Sequence, residues 1–278
     1  MESITLEELH TFHAIDRDIF SRLVLTFQRD IAESLLVMAT WLWLEDRGYP
    51  NIIVKMVRLS DPLVDALADE AATCLSVLGS TNPSIPPNGG LPLHARVMEK
   101  EITLHVFNQN KFTAISGIKN FLNTVCARIF TDILQRVLGS PSQVIPNSPL
   151  NVPGFPHPLF GAVAIMPRAI SNDFPPGGLW GWHSTNNATE DDRTMFLTFS
   201  RGFPVTEDEV RELFTKMYGE CVQSVQMQEN ASSNGQPLFA RLVLLSITTV
   251  DQILCGRRMT KFRINGKHIW ARKYERRE

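Results

Sequence analysis

The chain has 278 residues, of which 44% are hydrophobic and 20% are charged, and its formal net charge is -2. This length is typical of two domains, and the composition excludes a chain that is disordered throughout. The charge is unevenly divided, because residues 193–278 hold 14 Lys and Arg against 9 Asp and Glu, whereas residues 1–192 hold 13 against 20. The near-neutral total therefore combines an acidic part with a basic C-terminal third, and only the second has the charge that phosphate binding requires.

The cysteines and the apolar stretches indicate in which cellular compartment the protein is expected. The four cysteines lie far apart and form no Cys-x-x-Cys pair, so they predict neither a zinc site nor a disulfide framework. The first residues lack the layout of a secretory signal, and the most apolar stretch, residues 31–44, is too short to span a bilayer. We therefore expect an intracellular protein, in the nucleus or the cytoplasm, with no membrane partner.

The motifs of common enzyme sites do not occur in the sequence. It contains no Gly-x-Ser-x-Gly, no Gly-x4-Gly-Lys-Ser/Thr, no His-Glu-x-x-His and no Gly-x-Gly-x-x-Gly. His10 and His13, near Asp16 and Asp18, have the residue types of a metal site, but helix caps and surface polar residues are the simpler explanation. We predict a protein without catalytic activity, metal or cofactor.

The first 138 residues have the apolar spacing of helices. Ile19, Leu23 and Phe27 recur at helical intervals, and a helix is predicted to begin near Asp61 and to end at Gly79. Further helical periodicity covers residues 94–107 and 112–138. Residues 1–138 are thus predicted to form an all-α domain. Residues 139–192, which hold nine of the 17 prolines, are predicted to form a linker.

The last third, residues 193–278, alternates strands with helices. Thr206 and Glu209 have the spacing of a capping box, which begins a helix that Gly219 ends. A second, short helix is predicted over residues 249–254. Strands are predicted over residues 195–200, 222–228, 238–245 and 267–274. The predicted order is βαββαβ, so the whole chain is expected to combine an all-α domain, a linker and an α+β domain.

Residues 193–278 resemble an RNA recognition motif, a ferredoxin-like sandwich in which two helices cover one face of a sheet and the other face binds single-stranded RNA. Residues 195–200 are similar to the hexapeptide of the family's first strand, whose second position is an aromatic, here Phe196. Residues 237–244 are similar to the octapeptide of its third strand, with Phe239 at the aromatic third position. Arg241 stands at the fifth position, where the family has a second aromatic. The overall layout is loosely similar to plant-specific proteins with a single such domain.

Alternation along the strands gives the same assignment without the family. If Met195 and Leu197 enter the core, the side chains between them face the opposite way, and the same holds in the third and last strands. A slip of one residue would exchange the two faces. With a basic C-terminal tail that includes Lys273, the residues predicted to bind RNA by stacking and by charge are Phe196, Phe239, Arg241, Trp270, Arg272 and Lys273.

A second interpretation stays open at this point. Some members of this fold family bind peptides on their helical side through an acidic first helix, and Glu207, Asp208, Glu209 and Glu212 lie at the start of that helix here. The same carboxylates also suit the positive end of the helix dipole. The sequence therefore favours single-stranded RNA as the partner of residues 193–278 and leaves a protein-interaction module as the alternative. The acidic helical domain is expected to bind a protein partner or to cover part of the sheet.

Overall fold

A computed structural model describes residues 5–49, 51–139, 149–165, 188–228 and 236–275. Much of the predicted linker, namely residues 140–148 and 166–187, lies outside the described residues. The chain divides into two compact units. The first comprises Met1–Phe107 and Gly117–Thr185, and the second comprises Asn108–Ser116 and Asn186–Glu278.

The N-terminal region is helical, which confirms the prediction of its secondary-structure class. Its helices are α1 (Leu6–Phe12), α2 (Ala14–Ser21), α3 (Ile31–Asp46), α4 (Ile52–Met56), α5 (Asp61–Gly79), α6 (Pro92–Met98), α7 (Leu104–Gln109), α8 (Lys111–Phe121), α9 (Ala127–Ile129) and α10 (Thr131–Val137). Two π-helical turns, Arg22–Thr26 and Leu122–Cys126, continue α2 and α8. Among the helices of the described residues, none is long and apolar enough to cross a membrane.

Helix α3 lies at the centre of the first unit. It is apolar on all sides, and its residues from Ser34 to Leu44 are buried, as a helix without a polar face requires. One buried polar network accompanies it: the Trp41 indole donates to His94 Nε2 over 3.0 Å, and His94 Nδ1 lies 2.8 Å from a Glu70 carboxylate oxygen. The network joins α3, α5 and α6, and each of these buried polar side chains has a partner.

The helix predicted over residues 94–107 is interrupted. Helix α6 ends where Glu99 adopts a left-handed backbone conformation, with φ at 55°. The backbone N–H of Leu104, at the start of α7, donates to the carbonyl of Gly89 over 2.8 Å. The Leu104 N–H thus makes a tertiary hydrogen bond to a distant loop in place of a helical one. Apolar spacing alone does not reveal this break between α6 and α7.

The second unit contains an antiparallel sheet of five strands. They are β1 (Thr194–Phe199), β2 (Val222–Met227), β3 (Phe239–Leu244), β4 (Met259–Ile264) and β5 (Lys267–Lys273), in the spatial order β2-β3-β1-β5-β4. Its two longer helices are α11 (Glu207–Tyr218) and α12 (Ile247–Leu254), and a 3-10 turn, Asp191–Arg193, precedes β1. The capping box of α11 is present, with Glu209 N–H donating to Thr206 Oγ1 over 3.2 Å.

Strand β4 was not predicted. It forms a hairpin with β5 through Asn265 and Gly266, both of which have positive φ, 46° and 79°. Asn-Gly is a strong signal for a tight hairpin turn because these two residues tolerate that conformation. Only Phe262 of this edge strand is buried, and it pairs with Ile269 of β5; the other five residues are partly or fully exposed, so the strand lacks a strong apolar signal.

The core of this unit lies between the sheet and helices α11 and α12. The inward side chains of the strands are Met195, Leu197, Phe199, Ala240, Leu242, Leu244, Ile269 and Ala271, all buried, and those of the helices include Val210, Phe214, Val250 and Ile253. Strand alternation predicted this inward set. Val243 lies between Leu242 and Leu244, a position that alternation assigns to the open face, but it is fully buried, as is its cross-strand partner Thr194. The turn Asp191–Arg193 packs on this end of β3, and Arg193 donates to the Leu244 carbonyl over 2.6 Å.

Residues 108–116 also belong to the second unit. The buried carboxylate of Asp251, on α12, accepts hydrogen bonds from the backbone N–H groups of Phe112 and Thr113 over 2.9 and 2.8 Å. It also accepts from the Thr113 hydroxyl over 2.6 Å. A buried carboxylate with three donors is well satisfied, so this contact is explained by structure alone.

Candidate nucleic-acid interface

Three aromatic side chains lie on the open face of the sheet, one on each of the adjacent strands β3, β1 and β5. Phe196 and Phe239 form a stacked pair, with ring centroids 5.4 Å apart and planes 26° from parallel. Trp270 lies on the next strand, and both it and Phe239 pair with Thr198 in the register of the sheet. Phe239 and Trp270 are each 37% exposed, so both rings are accessible from this face.

Cations lie directly beside these rings. The guanidinium carbon of Arg272 is 4.7 Å from the centroid of the Phe196 ring, and the Lys261 ammonium is 5.0 Å from that of the Trp270 ring. Arg263, which is exposed, lies on the same face of β4, since it pairs with His268. At these distances the cations are attracted by the faces of the aromatic rings, so positive charge stays near the rings. Each aromatic position of the face thus has a positive charge near it.

Lys261 and Arg263 were missed at the level of sequence because strand β4 was not predicted. The signal that could have found them is the Asn265-Gly266 turn. Once a hairpin is placed there, alternation puts Lys261 and Arg263 on the face of Trp270.

Arg241 lies at the edge of this face and is held by protein contacts. Its guanidinium carbon is 4.3 Å from the centroid of the Tyr274 ring, and its Nη2 is 3.4 Å from an Asp191 carboxylate oxygen. Its side chain is 33% exposed. Beyond it the face is closed, because Thr194 and Val243 are covered. The open platform therefore ends at Arg241.

Lys273 lies on the opposite face from the other predicted RNA-binding residues. It pairs with Met195 and follows Ala271 by two positions, so its side chain points to the helical side. The ammonium donates to the carbonyl of Asp191 and, over 3.3 Å, to that of Thr194. Burial lowers the pKa of Lys273 to about 8. The structure thus brings together five of the six predicted residues and places Lys273 in a buried contact that anchors the 3-10 turn.

The acidic start of α11 is partly used within the fold. The Lys267 ammonium donates to the Glu209 carboxylate over 2.8 Å and Asn265 donates to it over 3.0 Å, and these bonds lower the pKa of Glu209 to about 2. Glu207 forms an ion pair with Arg211 over 3.3 Å. Capping, the hairpin turn and a helix ion pair therefore account for two of the four carboxylates that suggested a peptide-binding helix.

The histidine cluster near the N-terminus does not form a metal site in the described part of the chain, where no group of three or more His, Cys, Asp or Glu side chains could hold an ion. His13 Nδ1 instead lies 2.6 Å from a carboxylate oxygen of Asp16, three residues along the chain.

The geometry of the site is the basis on which its function can be argued. Comparison with known proteins found no match among protein-family models, curated proteins or solved structures.

Proposed function

We propose that this chain is a non-catalytic RNA-binding protein, which binds a short single-stranded segment on the open face of the sheet. The observation that carries the proposal is the group of Phe239, Phe196 and Trp270 on three adjacent strands, in which Phe239 and Trp270 are exposed and Arg272 and Lys261 lie near the rings. Single-stranded nucleic acids are bound by this combination of stacking platforms and positive charge. Two helices on one face and aromatics on the other also support the resemblance to an RNA recognition motif.

The face offers two stacking positions. Neighbouring strands lie about 4.8 Å apart, so Phe239 on β3 and Trp270 on β5 are separated by about 10 Å. The Phe196 and Phe239 rings, which are already stacked on each other, form one position, and Trp270 forms the other. One base cannot cover both positions, so two or more successive nucleotides are needed to occupy the face.

The energy of such binding can be bounded. Each stacked base contributes about 1 to 3 kcal/mol, and the phosphate contacts add a term that depends on salt. Part of this gain offsets the ordering of the RNA and of the side chains. An affinity on the order of micromolar follows, since that corresponds to about 8 kcal/mol.

The test is to measure binding of the full chain to a fluorescent pool of random single-stranded RNA, at low and at physiological salt. The double variant Phe196→Ala with Phe239→Ala removes one stacking position and is expected to weaken binding at least tenfold. Met217→Ala is the matched control, because Met217 is an exposed apolar residue of helix α11. Absence of binding at low salt, or a double variant equal to the native protein, would refute the proposed function.

A further inference from the structure

We propose that Arg241 reads the base that stacks on Phe196 and Phe239, and that it selects guanine. This inference rests on the proposed function and names the specificity of the same site. Arg241 is the cross-strand partner of Phe196 and follows Phe239 by two positions on the same face of β3. Residues so related are neighbours on a sheet, so the guanidinium lies beside the stacked pair.

The guanidinium has a fixed orientation. The Tyr274 ring covers it at 4.3 Å, and the Asp191 carboxylate holds Nη2 at 3.4 Å. An arginine that only neutralises phosphates needs no such support, because a phosphate can be approached from many directions. Because the N–H donors of the Arg241 guanidinium are held in place before the ligand binds, less entropy is lost on binding. The same donors then require a ligand whose acceptors match their positions.

The closed end of the sheet directs the base towards Arg241. Thr194 and Val243 are covered, so a base on the Phe196 and Phe239 rings has protein and not solvent at this edge. The Arg241 side chain is 33% exposed, so part of its guanidinium stays accessible to a ligand at this edge. A base edge next to Arg241 is therefore a chemically suitable partner.

The donors of Arg241 select among the bases. A guanidinium offers donors only, so it pairs best with two adjacent acceptors, which guanine presents at O6 and N7. Adenine presents a donor beside its N7 acceptor, and uracil alternates acceptor and donor. Cytosine has adjacent acceptors on a smaller ring, which covers less of the two phenylalanine rings. The expected order of preference is guanine, then cytosine, then adenine and uracil.

The test uses the full chain and four RNA octamers, which are uridine at seven positions and carry guanine, adenine, cytosine or uracil at a central one. The native protein is expected to bind the guanine octamer about 10-fold more tightly than the uracil octamer, within the range that a good bidentate pair supplies. Arg241→Lys retains the charge and removes the fork, so its preference for guanine should fall below about twofold while binding of the uracil octamer persists. Arg263→Lys, on the same face of β4, is the control that keeps the preference.

Two results overturn this inference: native binding of all four octamers within twofold, or a guanine preference that survives Arg241→Lys. The first result is measured on the native protein alone, so it can overturn the inference even if the Arg241→Lys variant does not fold. Neither result refutes the proposed function if Phe196→Ala with Phe239→Ala still weakens binding at least tenfold. Failure of the native protein to bind any octamer would refute both.

Discussion

The salt dependence of RNA binding tests whether the cations of the open face contact phosphates. Lys261→Gln removes the cation nearest to Trp270, whose ammonium lies 5.0 Å from the ring centroid. Three cations of the face, Lys261, Arg263 and Arg272, are not part of the Asp191 ion pair that holds Arg241. If each neutralises one phosphate, the logarithm of the association constant falls with the logarithm of salt concentration with a slope of about -2.1.

The variant should have a smaller slope. Loss of one phosphate contact changes it by about 0.7 for a single strand, to about -1.4. Between 50 and 200 mM KCl the affinity of the native protein is then expected to fall about 18-fold, and that of Lys261→Gln about 7-fold. Fluorescence anisotropy with one labelled octamer over this range of salt measures both values.

A matched variant separates a local contact from the net charge of the chain. Lys216→Gln makes the same change at an exposed position of the last turn of helix α11. Its slope should equal that of the native protein. Equal slopes for Lys261→Gln and the native protein would refute phosphate contact at this position, and equal reductions in both variants would show a general charge effect.

Two further predictions concern groups with shifted pKa values. Hydrogen bonds from Lys267 and Asn265 lower the pKa of Glu209 to about 2, so the stabilising effect of its carboxylate is present above pH 4.5 and is lost as the pH falls to 2. In urea titrations at pH 7, Glu209→Gln should lower the free energy of unfolding by about 1 kcal/mol. An unchanged free energy of unfolding would contradict this prediction. Burial lowers the pKa of Lys273 to about 8, so the native state loses this proton before the unfolded state does. Lys273 should therefore contribute a rise of up to about 3 kcal/mol in the free energy of unfolding between pH 8 and 10.5, measured as the difference between the native protein and Lys273→Met. Lys273→Met should lack this rise, and parallel pH curves for the two proteins would show that Lys273 is not responsible.

Local patterns were enough to predict where most of the candidate site lies. Phe196, Phe239 and Trp270 were assigned to the open face because side chains alternate along a strand with a period of two, whatever the strand packs against. The capping box at Thr206 and Glu209 was recognised for a similar reason, since its two hydrogen bonds join residues three apart.

The errors have different causes. Val243 has the alternation of an outward residue, but it is fully buried at the end of β3 against which the turn Asp191–Arg193, far from it in sequence, packs. Lys273 was grouped with a basic tail because of its charge, although it lies in the strand predicted over residues 267–274, where alternation after Ala271 turns it inward. The hairpin of β4 was predictable from its Asn265-Gly266 turn, but half of the residues of the strand are polar and it gains its place by pairing with β5.

The sequence by itself determined which residue types this protein can present: a basic C-terminal third, strands with aromatics at alternate positions and a helical, acidic N-terminal region. Only the tertiary structure decided which of them form one surface. The ion pair of Arg241 with Asp191 joins residues 50 apart, and the stacking of Arg241 on Tyr274 joins strand β3 to the end of β5. Such contacts follow from strand order and register, which are set by the packing of the whole sheet and not by any local pattern.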